Sequence, residues 1–169
     1  MSAKILSVFC LLVLSFSCKK AQENVIEENK SESVAEHDFS KFKYIDYALD
    51  EKTEKALEDW QEYFQLQDII TNVKKGDLSF FEDNKVEVKL FLKKLKESIP
   101  EKVNASSIFA RILVLETKFY KLESLYNLST TNNEELSSAV KEFLVSFSNL
   151  NLQMNKKIEF DNRTISKPE

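Results

Sequence analysis

Apolar residues recur at three- and four-residue steps over the carboxyl-terminal half of this chain. The clearest series is Ile108, Ile112, Leu115, Phe119, Leu122 and Tyr126. A second series with the same spacing is Leu136, Val140, Phe143, Phe147, Leu150 and Met154. This spacing places each series on one face of a helix and is typical of helices that pack along one another. It predicts two long amphipathic helices.

Two further helices are predicted upstream, over residues 50–75 and 79–98. Asp50 is suited to N-cap the first, and Gly76 to end it in a left-handed conformation. The apolar face of the first helix is predicted to hold Leu57, Trp60, Phe64, Ile70 and Val73. The sequence "SFFE" at 79–82 fits a capping box for the second helix, and "TNNE" at 131–134 fits one for the last. Residues 39–49 are predicted to pack on the domain as an extended strap or a helical turn.

The predicted fold is all-α, an antiparallel up-down bundle of four helices, because the connections between neighbouring helices are short. One glycine and two prolines among 169 residues are too few for the corners of strand-and-turn architectures. A three-helix bundle with an outlying first helix is the alternative. The bundle domain is predicted to span residues 39–160, with a tail at 161–169.

The first 17 residues have the pattern of a signal peptide. Lys4 precedes an uncharged, mostly apolar run from residue 5 to residue 17. This run is shorter than the ~20 residues that a membrane-spanning helix needs. A short apolar run behind a positive charge is typical of a secretory signal, so residues 1–17 are predicted to be cleaved.

The apolar run ends in "LSFSCKK", residues 14–20, with the small side chain of Ser17 directly before Cys18. This stretch resembles the lipobox of bacterial lipoproteins, in the form found in Bacteroidota. The resemblance implies cleavage between Ser17 and Cys18 and attachment of a diacylglycerol to the Cys18 thiol, which would hold the protein on the membrane. Because Lys19 rather than Asp follows, it also implies the outer membrane, facing the periplasm. An ordinary secretory signal with an incidental cysteine is the alternative.

Residues 18–38 are predicted to be the lipidated cysteine followed by a flexible acidic tether. From residue 19 to residue 38 the chain carries six acidic residues and three lysines. Such a segment has too few large apolar side chains to offset the entropy lost on ordering.

The chain lacks the residues of most catalytic and metal sites. Its one histidine, His37, lies in the predicted tether, and Cys18 would be blocked by lipid. Zinc and di-iron ligand sets are therefore missing, and no histidine is available to activate a serine. We predict no catalytic residue, metal or cofactor. The net charge of −4 also argues against a nucleic-acid partner.

The segment "ARILVLETK", residues 110–118, combines the apolar seam with two isolated charges, Arg111 and Glu116. Arginine makes bidentate contacts with carboxylates that lysine does not match. An interhelical salt bridge or an anionic-ligand site are both compatible with this pattern. The leading hypothesis is a non-enzymatic, lipid-anchored protein that binds another envelope protein. The alternative is a carrier or sensor holding an apolar or anionic small ligand near Arg111, Glu116 and Trp60.

Overall fold

The computed structural model describes residues 39–163, which contain five α-helices and no β-strand. The helices are α1 (Glu51–Ala56), α2 (Gln61–Lys74), α3 (Lys85–Glu97), α4 (Ser106–Tyr126) and α5 (Asn133–Asp161). Short 3-10 turns lie at Phe39–Lys41, Ser79–Phe81 and Glu101–Val103. The all-helical prediction is confirmed for this part of the chain.

Both apolar series face the core, as their spacing predicts. Every member of the α5 series is buried, and in α4 only Tyr126, at the last turn, is half-buried. The contact between α4 and α5 is the most extensive between any two elements of residues 39–163. Its centre is aromatic: the ring of Phe119 lies 5.0 Å from those of Phe81 and Phe143. Rings in such tilted contacts stabilise one another beyond the area they bury.

The predicted helix over residues 50–75 is wrong as a single element, because the chain leaves helical geometry between α1 and α2. Asp50 is the N-cap of α1, as predicted, and accepts a hydrogen bond from the Thr53 backbone N–H at 2.7 Å. Beyond the break, Tyr63 is fully buried and Phe64 is 37% exposed. The other four residues of the predicted face, Leu57, Trp60, Ile70 and Val73, are buried as predicted, so only Phe64 was assigned to the core wrongly.

The second helix begins at Lys85, six residues later than predicted, and "SFFE" forms a 3-10 turn instead of a capping box. The cause is a distant side chain. Asn127, just after α4, accepts from the Asp83 backbone N–H at 2.9 Å and donates to the Phe81 carbonyl at 2.7 Å. Asp83 has a φ of 47°, which an α-helix does not allow.

The other predicted helix ends lie close to the observed ones. Gly76 has a φ of 88° just after α2, the left-handed conformation that glycine adopts without steric cost. The capping box of α5 is one residue later than predicted: Asn132 accepts from the Glu135 backbone N–H, and the Glu135 carboxylate accepts from that of Asn132. The α5 helix continues to Asp161, one residue into the predicted tail, and residues 164–169 lie outside the described part.

Residues 42–50 form a strap that is hydrogen-bonded to α5. Ser148, Asn151 and Asn155, which we call the polar seam, lie on one face of α5 because they are three and four residues apart. Their side chains bond strap backbone groups at 2.7–3.1 Å, on Ile45, Tyr47, Ala48 and Asp50. The seam thus provides hydrogen-bond partners for five backbone groups of the strap without a neighbouring strand.

Candidate functional site

The predicted lipidation site lies outside the described residues. This holds for Ser17 and Cys18, for the signal peptide and tether over residues 1–38, and for His37. Their roles stay predictions.

Trp60 is part of the core. It is fully buried between α1 and α2, and its indole stacks on the Tyr63 ring at a centroid distance of 5.6 Å. Its one polar atom, Nε1, donates to the Ser98 hydroxyl at 3.0 Å. The Ser98 hydroxyl in turn donates to the Glu62 carboxylate at 2.8 Å. The indole therefore fills and fixes the junction between α2 and α3.

Glu116 forms an interhelical salt bridge with Lys96 of α3. The Lys96 ammonium lies 2.7 and 2.8 Å from the two carboxylate oxygens, and both side chains are mostly shielded from solvent. Of the two outcomes that the sequence left open for this carboxylate, the structure has the salt bridge. The bridge joins the middle of α4 to the end of α3.

Arg111 forms no hydrogen bond or ion pair with Glu116 or Trp60, the residues with which it was predicted to form a site. Its side chain is exposed on α4, and no residue between 39 and 163 forms a hydrogen bond or an ion pair with it. An exposed guanidinium keeps all five of its donors available to a partner. The predicted set of Arg111, Glu116 and Trp60 is thus one buried core residue, one paired carboxylate and one exposed cation.

The first half of α4 is apolar on its outer side as well as on its core side. Phe109, Ala110, Leu113 and Val114, which we call the apolar face, are all exposed, the three larger side chains at 42–45%. Their i, i+1, i+4 and i+5 positions form one contiguous surface. A helix that is apolar on opposite sides is usually covered on both. Here the core covers only one.

Sequence reasoning missed the apolar face because it followed only the core-facing series through Ile108, Ile112 and Leu115 and left the apolar residues between them unassigned. The signal was nevertheless present. From Ser106 to Leu115 the chain has a single charged residue, Arg111, whereas an exposed helix face normally carries several. Counting polar residues on the outer face would have found it.

The alternative hypothesis places a small apolar or anionic ligand near Arg111, Glu116 and Trp60, which would require a cavity beside these residues. Two adjoining cavities lie beside the carboxyl end of α5, and neither Trp60 nor Arg111 lines either of them.

Within residues 39–163, no three His, Cys, Asp or Glu side chains come close enough together to hold a metal ion. None of the helices in this part of the chain is both long and apolar enough to cross a membrane.

The fold and the surface together define an all-helical domain with an exposed apolar helix face and one exposed arginine at its edge. The chain matches no protein-family model, no curated protein and no solved structure. A functional conclusion therefore depends on the residues themselves.

Proposed function

We propose that this protein is a lipid-anchored, non-enzymatic component of the bacterial cell envelope that binds another envelope protein through the apolar face of α4. The observation that carries the proposal is the apolar face itself: four adjacent apolar residues on one helix, all exposed. The largest contiguous apolar patch on the surface of a monomeric protein is often functional, and larger patches are characteristic of interaction sites. The lipid on Cys18 would hold the domain at the outer membrane, facing the periplasm.

We infer an antiparallel up-down bundle, in which α1 and α2 together take the place of one helix. The α4–α5 link is short, and Phe119 and Phe143 meet at similar sequence distances from it. Hydrogen bonds from Lys118 and Lys121 across the same interface hold the pKa of Glu142 below its usual value. These pairings favour an antiparallel arrangement of α4 and α5.

The pairings between α3 and α4 support the same arrangement. Phe91 of α3 lies 5.9 Å from Phe119 of α4, and the later residue Lys96 reaches the earlier residue Glu116. As the position on α3 advances, its neighbour on α4 moves back along the chain. In this bundle, the apolar face would be an outer side of α4 rather than part of an interhelical contact.

The charge beside the apolar face indicates the chemistry of the partner. Arg111 lies on the same stretch of α4 and lacks an internal partner among residues 39–163. Protein interfaces are enriched in aromatic residues and arginine, which act as the energetic anchors. We therefore propose a partner that presents an apolar surface with a carboxylate placed to accept the bidentate hydrogen bonds of Arg111.

Substitution of the apolar face is expected to abolish partner recovery without unfolding the domain. In a Phe109→Ser/Leu113→Ser variant, we expect at least a tenfold loss of the co-purifying protein, since truncation of an interface anchor costs roughly 2 kcal/mol or more. The measurement is quantitative mass spectrometry after in-cell cross-linking in the native host. A Leu128→Ser/Phe160→Ser variant, which changes two apolar residues elsewhere that are even more exposed, is the matched control. Equal recovery from wild type and both variants would contradict the proposal.

Loss of Cys18 is expected to abolish lipid attachment. A Cys18→Ser variant should incorporate no labelled palmitate, because it lacks the thiol that the lipobox resemblance marks for acylation. Cys10→Ser, which changes the cysteine inside the predicted signal peptide, serves as the control and should remain labelled. Continued palmitate labelling of the Cys18 variant would refute the anchor while leaving the binding surface untested.

A further inference from the structure

A groove opens beside the carboxyl end of α5, where α1 and the turn before α4 approach it. It has two parts that share Lys52, Ile158 and Asn162 in their lining: a first part of about 470 Å³ and an adjoining part of about 510 Å³. Small-molecule sites in proteins usually measure about 300–1,000 Å³. We call this feature the terminal groove. The first part is lined by three lysines, two apolar residues, one acid and one amide, namely Lys52, Lys55, Lys102, Ala56, Ile158, Asp161 and Asn162.

The acidic side chains of the terminal groove are mostly engaged. Asp50 accepts from the α1 backbone as its N-cap, Asp161 pairs with Lys157, and Glu159 pairs with Lys156 and Arg163. Glu51, in the adjoining part, lies in the first turn of α1, where the helix dipole favours a negative charge.

The lysines of the groove, in contrast, have no such partners. Lys52, Lys55 and Lys102 are exposed, and none forms a hydrogen bond or ion pair with any residue in the part of the chain that the structure describes. They come from two separate segments of the chain, α1 and the Glu101–Val103 turn. The fold thus brings together three lysines that have no ion-pair partner among residues 39–163, beside the apolar side chains of Ala56 and Ile158.

We propose that the terminal groove binds a small molecule that joins a phosphate group to an apolar moiety. An ammonium group recognises phosphate as a point charge, without the planar fork that arginine uses for carboxylates. Ala56 and the largely buried Ile158 offer apolar contact for the remainder of the ligand. The Asn162 amide adds a neutral donor at the rim.

Two sources share this chemistry: a soluble phosphate ester and the headgroup of a phospholipid. The proposal does not depend on partner binding by α4, because none of the groove residues belongs to the apolar face. The two surfaces can therefore be tested by separate variants of the same chain.

The test is titration calorimetry on the full chain, purified from membranes in an uncharged detergent. One arm uses inorganic pyrophosphate, and the other uses mixed micelles of short-chain phosphatidylglycerol, with phosphatidylcholine for comparison. A Lys52→Gln/Lys55→Gln/Lys102→Gln variant is expected to bind at least about tenfold more weakly than wild type. The matched control, Lys85→Gln/Lys89→Gln/Lys94→Gln on α3, removes the same charge from exposed lysines outside the groove and should bind like wild type.

Each outcome decides the proposal. Pyrophosphate binding that the groove variant alone weakens supports a soluble ligand, and phosphatidylglycerol binding with the same selectivity supports a headgroup. Absence of binding in both arms overturns the proposal. Equal weakening by the groove variant and the α3 control also overturns it, because binding would then follow net charge rather than the groove. Circular dichroism of both variants confirms that they remain folded.

Discussion

Replacing Phe119 with alanine is expected to lower the free energy of unfolding by about 3–5 kcal/mol, the usual cost of truncating a fully buried phenylalanine. Phe119 is completely enclosed, and its ring contacts those of Phe80, Phe81, Phe91 and Phe143 at 5.0–5.9 Å. It therefore joins α3, α4, α5 and the Ser79–Phe81 turn at one point. The cavity left by truncation would remove contacts from all four elements at once.

Urea unfolding of the full chain, followed by helical circular dichroism, measures this effect. Phe160→Ala is the control, because the Phe160 side chain is 69% exposed and its truncation should change the free energy by less than about 0.5 kcal/mol. If Phe119→Ala costs no more than the control, the aromatic cluster is not the centre of the core.

Replacing Asn151 with alanine is expected to cost about 2–3 kcal/mol, because it leaves two polar groups without partners. The buried Asn151 amide accepts from the Tyr63 hydroxyl and donates to the Tyr47 carbonyl, both at 2.9 Å. Burial raises the pKa of Tyr63, the Glu54 carboxylate raises it further, and the hydrogen bond to Asn151 opposes both. The hydroxyl therefore stays protonated at neutral pH and needs an acceptor.

A double-substitution cycle with Tyr63→Phe separates this hydrogen bond from the general cost of truncation. We expect the two substitutions to be coupled by about 1 kcal/mol, since Tyr63→Phe removes the donor that Asn151→Ala strands. Asn155→Ala is the control on the polar seam: its side chain also holds the strap but is solvent-exposed, so water can replace the bonds. Additive effects of Tyr63 and Asn151 would contradict the network.

The helix faces could be predicted from the sequence wherever local spacing determines burial. The series of α4 and α5 each have one apolar side against the core, and their 3.5-residue periodicity is a local property of the chain. The capping roles of Asp50 and Gly76 could be predicted as well, because capping depends on residues adjacent to the helix end. These features need no knowledge of what packs against them.

The features that could not be predicted depend on contacts between distant residues. The break before α2 accompanies burial of Trp60, whose indole N–H donates a hydrogen bond to Ser98, just after α3. The late start of α3 follows from Asn127, more than 40 residues away, because its side chain forms hydrogen bonds with the backbone of Phe81 and Asp83. The polar seam had a sequence signal, since Ser148, Asn151 and Asn155 share a helix face, and a strap over residues 39–49 was predicted. That the seam bonds the strap was recognisable only in three dimensions.

The candidate site also combines features that local sequence predicts with features that depend on contacts between distant residues. Arg111 could be identified as an isolated charge from the sequence, but its exposure and the pairing of Glu116 with Lys96 depend on how α3 and α4 approach each other. The apolar face and the terminal groove both arise from residues that local patterns assign to a seam or to a solvated surface. Anchoring through Cys18 remains a prediction from the lipobox resemblance.

The central claim is that the apolar face of α4 contacts another envelope protein, and photo-cross-linking in the native host tests it most directly. A photoreactive amino acid is placed at Leu113 in the full chain, and a second strain carries it at Phe160, which is also exposed but outside the face. We expect one adduct of defined mass from position 113, in which this chain is joined to a single different envelope protein, and none from position 160. An adduct of two copies of this chain, the same products from both positions, or no adduct at 113 would contradict it.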